Sequence, residues 1–494
     1  MRSRREQVQA YRFLIRRTVS ALLAGEPETN ELPMRRFALA MLGGLLAAVL
    51  LFAGFGVYGL LRPGGRQPVE NAIIVERDTG AKFIYTQGRL HPVLNWTSAL
   101  LIVGQPEPVV RTMSESSLRA VPRGLPIGIP GAPDSLPSRS ALLGLPISVC
   151  SAPRSLTSVA RATHLLVGWA PSGGTAVGRQ GLLVSVDGGD RYLLWSEHRL
   201  RIRSNAVLAA LGWAGIPPVA VGEAFLNSVP PGPDLEPLAL PGAGSPAEPA
   251  IAGQQTRIGQ LFRAAGKSYV MLPDGLAPVG AVTARLLEAA GRAVNEISAQ
   301  QAGRLIVDRV AEPPGFPDTV PEVRGAQTPA PMVCASYRDD GGAAEHPVTI
   351  ETFGVVPGEV PPIDGPPVAT QAGADGVRPA DRVALPGGHA ALVRAANPIG
   401  ANAAGNVYLV TDQGLKFPLS RPELEKAQSS LGYAGVRPVQ VPASILALVP
   451  TGVALDPAAA LRLSALPTVA PVGPAAGPAA GSGGRAPEPT PGPS

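Results

Sequence analysis

Aromatic residues supply only 4% of this 494-residue chain. Large single cores depend on such side chains. Their scarcity, beside 58 Gly and 55 Pro, argues against one massive sheet or barrel. Several short modules joined by turn-rich connections are expected instead. Lysine is scarce as well: Lys82, Lys267, Lys416 and Lys426 stand against 38 Arg. The five histidines, His91, His164, His198, His346 and His389, fall in no metal-ligand spacing, and no H-E-x-x-H occurs. No G-x-S-x-G elbow is present. Catalytic, cofactor and metal residues are therefore all expected to be none.

Unbalanced charge is missing from most of the chain. Residues 1–36 carry eight Arg and four Glu, residues 37–61 carry no charge, and residues 62–494 carry 34 basic and 33 acidic side chains. The pI near 9.4 thus reports a basic N-terminal segment, and a nucleic-acid surface on the bulk is excluded.

Long apolar runs are absent but for one. "FALAMLGGLLAAVLLFAGFGVYGLL", Phe37 to Leu61, is 25 uncharged residues. As a helix it reaches roughly 37 Å, enough to span a bilayer with some tilt. It is too long for the apolar part of a cleaved signal peptide, about 7–15 residues. The preceding arginines place the N-terminus in the cytoplasm and everything after Arg62 outside. Gly43, Gly44, Ala47 and Ala48 set small side chains four apart, which permits close packing of another membrane helix. Ahead of the span, Ser3 and Glu6 fit a capping box, and Gly25 with Pro27 stops the helix that follows. Its apolar face is Tyr11, Leu14, Ile15, Val19, Leu22 and Leu23. Tyr11, Arg12, Leu14, Ile15, Arg16 and Arg17 are the expected contacts with a cytoplasmic partner or the membrane surface.

"LGWAGIPPVAV" (Leu211 to Val221) returns as "LGYAGVRPVQV" (Leu431 to Val441), with seven of eleven letters shared. "YLLWSEHRLRI" and "YLVTDQGLKFPL" precede the two copies; "FIYTQGRLHPV" and "YVMLPDGLAPV" are weaker relatives. Each reads as a β-hairpin followed by a helix candidate, so a hairpin backed by a helix is expected four times. The repeated phrase then reads as a helix exit and a further strand, with Gly215 and Gly435 suited to the left-handed cap position. Between copies, "ISVC" and "PMVCASY" read as strands holding Cys150 and Cys334, the chain's two cysteines. Outside the membrane such a pair most economically forms one disulfide; two buried free thiols are the alternative.

The expected class is α+β, with an elongated extracytoplasmic region. The expected division is a cytoplasmic helix and entry turn at 1–36, a transmembrane helix at 37–61, and a linker with the first repeat at 62–104. A β-rich central domain takes 105–160 and 325–400. The second, third and fourth repeats take 161–232, 253–324 and 401–465, with a linker at 233–252 and a disordered Pro/Gly/Ala-rich tail at 466–494. Nucleotide chemistry finds one fragment: Gly266-Lys267-Ser268 matches the end of a phosphate loop, but Leu261 stands where its first glycine belongs. "NWT" at Asn95 fits a glycosylation sequon, and "DGGD" (Asp187 to Asp190) reads as a turn.

"QVQAYRFLIRR" (Gln7 to Arg17), the single span, "LRPGG" (Leu61 to Gly65), the repeated hairpins and the cysteine pair together resemble the EccB family. This family supplies the single-pass membrane component of actinobacterial type VII secretion systems. The resemblance covers nearly the whole chain; Leu32-Pro33 departs from the Asp-Pro that family members often show there. It implies a structural subunit with a disulfide-tied central domain flanked by four repeats, Cys150 and Cys334 matching the bridge. The implied partners are the motor EccC, the membrane proteins EccD and EccE, other copies of itself and the lipid bilayer, with no nucleic acid. Two alternatives stand beside it: a nucleotide hydrolase, since ATPase activity has been attributed to the family, and a cell-wall-binding repeat protein.

Overall fold

The structure, a computed structural model, describes residues 4–25, 33–61, 67–155, 160–186, 189–309, 311–326, 332–338, 348–361, 377–396 and 405–463. Ser3, Pro27, His346 and the tail from 466 lie outside them. The chain begins with the helix Arg4–Ala24, which Gly25 ends in the left-handed region at φ 66°. The helix Pro33–Leu61 follows. Within it Phe37–Tyr58, of mean hydropathy 2.3, is the one described segment long and apolar enough to cross a membrane.

Beyond these helices, four sheets share one order. In the first, Ile73–Glu76, Lys82–Thr86 and Arg89–Pro92 form an antiparallel meander, the helix Trp96–Val103 crosses back, and Val110–Met113 pairs parallel to Ile73–Glu76. The same path runs through Gly181–Ser185, Arg191–Trp195, His198–Ile202, the helix Asn205–Ala210 and Val219–Ala220. It recurs in Leu261–Ala264, Lys267–Met271, Leu276–Val279, the helix Ala281–Ala289 and Val294–Glu296. It recurs again in Ala390–Ala396, Val407–Thr411, Lys416–Pro418, the helix Leu424–Ser430 and Val439–Pro442. A second short helix follows each parallel strand: Glu115–Leu118, Glu223–Ser228, Ala299–Leu305 and Ala443–Ala447. Local chemistry explains the hairpins. Gln87-Gly88, Ser196-Glu197 and Ala265-Gly266 all have positive φ, the two-residue turn whose twist matches that of paired strands.

A fifth, six-stranded sheet runs Arg382–Ala384, Arg161–Val167, Ile147–Pro153, Met332–Tyr337, Val348–Phe353, Thr175–Ala176. Its two faces alternate residue by residue. Ile147, Val149, Val333 and Ala335 meet the second sheet, to which Val323–Arg324 adds a fifth strand beside Gly181–Ser185, and the fourth sheet in one core with Val184, Phe225, Val393 and Ile445. Cys150, Ala152, Met332 and Cys334 turn to the other face, against Phe353 and Val360. Outward from the centre, the first sheet packs on the fourth through Leu101, Leu409 and Tyr433, and the third packs on the second through Val282, Leu286 and Leu208. The order in space is therefore first, fourth, centre, second, third.

Several boundaries differ from the sequence reading. Arg161–Val167, assigned there to the second repeat, is a central strand; its partner Ile147–Pro153 lies just upstream, and Ala162 to Val167 are all buried although Thr163 and His164 interrupt the apolar pattern. Ala390–Ala396 opens the fourth sheet before residue 401. The Pro-rich stretch expected to be a linker is partly structured: Leu235 is buried and pairs with Ile202, and Pro246–Ile251 forms a ribbon with Gln254–Arg257. Proline's fixed φ suits such edge positions, so its abundance here marked sheet edges. The helix-ending glycines after the crossover helices are Gly104, Gly212, Gly291 and Gly432, all at positive φ. Gly435 also has positive φ, but Gly215 does not. In that repeated phrase the cap is the glycine before the aromatic residue.

Candidate functional site

The N-terminal helix leaves its apolar stripe open. Tyr11 is 66% exposed and Leu14 62%, and Ile15, Val19 and Leu22 are exposed with them. Arg12, Arg16 and Arg17 are exposed on the same helix, and Thr18 Oγ1 donates to the Leu14 carbonyl at 2.9 Å. The small-residue row is open as well. A side chain built on Gly43 or Gly44 would meet nothing within 4 Å, Ala47 is exposed, and Ala48 is half-covered.

Cys150 and Cys334 are directly opposed on neighbouring antiparallel strands, with Cα atoms 4.0 Å apart, and they form a disulfide. Both are fully buried. On the same face the Ser148 and Ser336 hydroxyls meet at 2.9 Å, so this face is sealed by paired groups.

Other marked residues find structural employment. Gly266 turns a hairpin, and Lys267 and Ser268 begin a strand where a phosphate loop requires a helix start. Asn95 caps the helix Trp96–Val103. Its amide oxygen accepts from Ser98 N at 2.9 Å, and its nitrogen donates to the Ile129 carbonyl at 2.8 Å. That side chain is buried, which closes it to a glycan. Asp190 pairs with Arg201 at 3.0 Å. No group of acidic, Cys or His residues suited to a metal occurs among the described residues.

A polar site that sequence reasoning missed lies where the central sheet meets the second sheet. A cleft of about 270 Å³ opens there, lined among others by Arg161, Thr163, Arg199, Glu223, Asn227 and Asp381. At its floor Asp381 accepts from Arg154 at 2.6 Å and from the Thr163 backbone N–H at 2.8 Å. Ser151 Oγ accepts from Gly222 N at 3.0 Å, and Tyr337 donates to the Ser228 carbonyl at 2.7 Å. The central sheet is thus stitched to the helix Glu223–Ser228 by polar contacts at both ends. The residues are scattered through 151–381, so no local signal marks them.

His164, opposite Cys150 and 3% exposed, borders this network. Burial drives its pKa down to about 4; Asp381 raises it, while Arg382 and Arg154 lower it. Above pH 6.5 the ring is neutral in both folded and unfolded chains. As pH falls from 6.5 towards 4 the unfolded chain gains a proton that the folded one refuses, so stability declines through that window by about 3 kcal/mol. Thermal unfolding followed from pH 7 to pH 4 should show this decline, and His164→Gln should remove that part of it.

Comparison with known proteins gives consistent matches. The family described as "Type VII secretion system ESX-1, transport TM domain B" matches residues 2–468. A Mycolicibacterium smegmatis protein named "ESX-3 secretion system ATPase EccB3" is 30% identical over 478 residues, covering 92% of this chain and 89% of the relative. The Mycobacterium tuberculosis "ESX-5 secretion system ATPase EccB5" is 28% identical, covering 93% of both chains. Among solved structures, a chain of an intact ESX-5 inner membrane complex has a TM-score of 0.60 at 25% identity, covering 94% of this chain and 96% of its own. A chain of an EccB3 dimer from the ESX-3 core complex has a TM-score of 0.58 at 27% identity, covering 79% and 100%. With a match that runs nearly end to end and a shared fold around the buried disulfide, the chain belongs to the EccB family of type VII secretion membrane components.

Proposed function

We propose that this chain is a structural, single-pass membrane subunit of a type VII secretion complex and assembles its extracytoplasmic part. The observation that carries the reading is the exposed stripe Tyr11, Leu14, Ile15, Val19 and Leu22 beside an apolar span, joined to a large region with the fold of chains in inner membrane complexes. A helix with so open an apolar face lowers its free energy only by docking on a partner or lipid. The excess of arginine before the span supports an orientation with that helix in the cytoplasm and the sheets outside. The row Gly43, Gly44, Ala47 and Ala48 offers another membrane helix a close approach. EccC, EccD, EccE and further copies of the chain are the partners this arrangement suits.

The four similar sheets are copies of one module, larger than a hairpin plus helix: a meander, a crossover helix, a parallel strand and a second helix. Stacking of crossover helices joins first to fourth and second to third, while the second helices of modules two and four meet beside the central sheet. Relatives carry "ATPase" in their names. In this chain the fragment nearest to a phosphate loop is a hairpin turn, which lends a hydrolase reading no support.

The full-length tagged chain, purified from its native membranes in mild detergent, should bring other membrane components and further copies with it. Leu14→Glu with Ile15→Glu should leave the chain in the membrane and cut partner recovery about tenfold or more, since each apolar side chain is worth roughly 1.5–3 kcal/mol when buried. Recovery of the unaltered chain alone would overturn the proposal.

A further inference from the structure

The second and fourth modules carry a cation at the same register position. Arg199 lies opposite Leu194, one pair beyond Leu200 and Leu193; Lys416 lies opposite Val410, one pair beyond Phe417 and Leu409. Each also bridges the chain returning from the second helix, at Pro231 and Thr451. In the first and third modules that bridge is made by Leu90 and Leu276, both fully buried. Leucine is therefore what the fold itself asks for here.

The two cations are used differently. Lys416 is 7% exposed; its Nζ donates to the Leu446 carbonyl and lies 5.6 Å from the centre of the Tyr408 ring. Arg199 faces the cleft and is half-buried, and burial lowers its pKa. Among the described residues its side chain makes one hydrogen bond, Nη1 to Asn227 Oδ1 at 2.8 Å, and pairs with no carboxylate. The neighbouring segments diverge in step. "VGEAFLNSVP" (Val221 to Pro230) corresponds to "VPASILALVP" (Val441 to Pro450), so Glu223 and Asn227 replace Ala443 and Ala447. Both changes face the cleft. Duplicated elements that differ by new polar groups around one opening point to a ligand, because packing alone is met by the apolar version.

Charge narrows the ligand class. Arg161 adds a second desolvated guanidinium to the cleft. Asp190 is held by Arg201 and Asp381 by Arg154, with Arg378, a third arginine lining the cleft, 3.9 Å from Asp381. Glu223 is exposed and pairs with no cation among the described residues, so it repels a second negative charge. A cavity of about 270 Å³ has room for an amino acid or short peptide end. We propose that the cleft binds a small monocarboxylate, with Arg199 as the principal anion contact and Glu223 selecting against multiply charged anions.

Full-length chain in detergent, titrated calorimetrically with N-acetylalanine, its amide and inorganic phosphate, tests this. Saturable binding of the acid is expected, with the amide and phosphate each on the order of tenfold weaker. Arg199→Leu, which installs the residue of the first and third modules, should weaken the acid on the order of tenfold without lowering the unfolding temperature. Glu223→Gln, a surface change, should raise phosphate affinity. Equal affinity for acid and amide, unchanged binding in Arg199→Leu, or no binding of any probe would overturn the site.

Discussion

Replacing both Cys150 and Cys334 by alanine is expected to destabilise the folded region by about 3–5 kcal/mol, and reduction with dithiothreitol under mildly denaturing conditions should have the same effect. The bridge closes a loop of 184 positions. Chain entropy for so long a loop gives ~5 kcal/mol as an upper value, because an uncrosslinked unfolded chain samples many more states. The loop contains the second and third modules, and any structure they keep after the centre opens reduces that figure. The sulfurs contribute separately by filling the face that holds Ala152, Met332 and Phe353. Equilibrium urea unfolding of the unaltered and doubly substituted chains checks the prediction; a difference below about 1 kcal/mol would assign the bridge no role in stability.

What the sequence made legible follows from the range over which each signal acts. The hairpins were readable because a turn such as Gln87-Gly88 and its flanking strands occupy about ten consecutive residues, with backbone demands that few residue types meet. The disulfide was readable because the chain has two cysteines, which leave one pairing within it. Of the parallel fourth strands, only those in the repeated phrase, Val219–Ala220 and Val439–Pro442, were readable as strands; those of the first and third modules, and the parallel pairing of all four, were not. Val294–Glu296 is three residues long, and its partner lies across a crossover helix. No periodicity can be detected in so short a run.

The cleft shows the same limit more sharply. Arg199 and Lys416 look unremarkable in the chain: one follows a histidine in a hairpin, the other precedes "FPL". Only the strand register shows that both occupy a position filled by leucine in the other two modules. Lys416 carried a faint signal, being one of four lysines in an arginine-dominated chain, and it is the one whose side chain is buried. A register gives every position a counterpart, and the comparison becomes physical once the counterparts are known.

Asp381→Asn is expected to cost about 3–5 kcal/mol, because it leaves the Arg154 guanidinium buried without its counter-charge. The side chains of Arg154 and Asp381 are 16% and 11% exposed. Arg154 Nη1 already has no hydrogen-bond partner among the described residues, so the pair has little slack. Asparagine keeps the shape and can still accept from Thr163 N–H, and the change therefore tests charge and not packing. The segment it anchors continues as Arg382–Ala384, parallel to Arg161–Val167 at the sheet edge, so its release should expose that edge. Hydrogen exchange should show faster exchange along Arg161–Val167, with Met332–Tyr337 changed less because it is flanked on both sides. Arg154→Met in the Asp381→Asn background should recover part of the lost stability, since an apolar stem needs no counter-ion. If the double substitution is no more stable than Asp381→Asn alone, the stranded guanidinium is not the source of the cost.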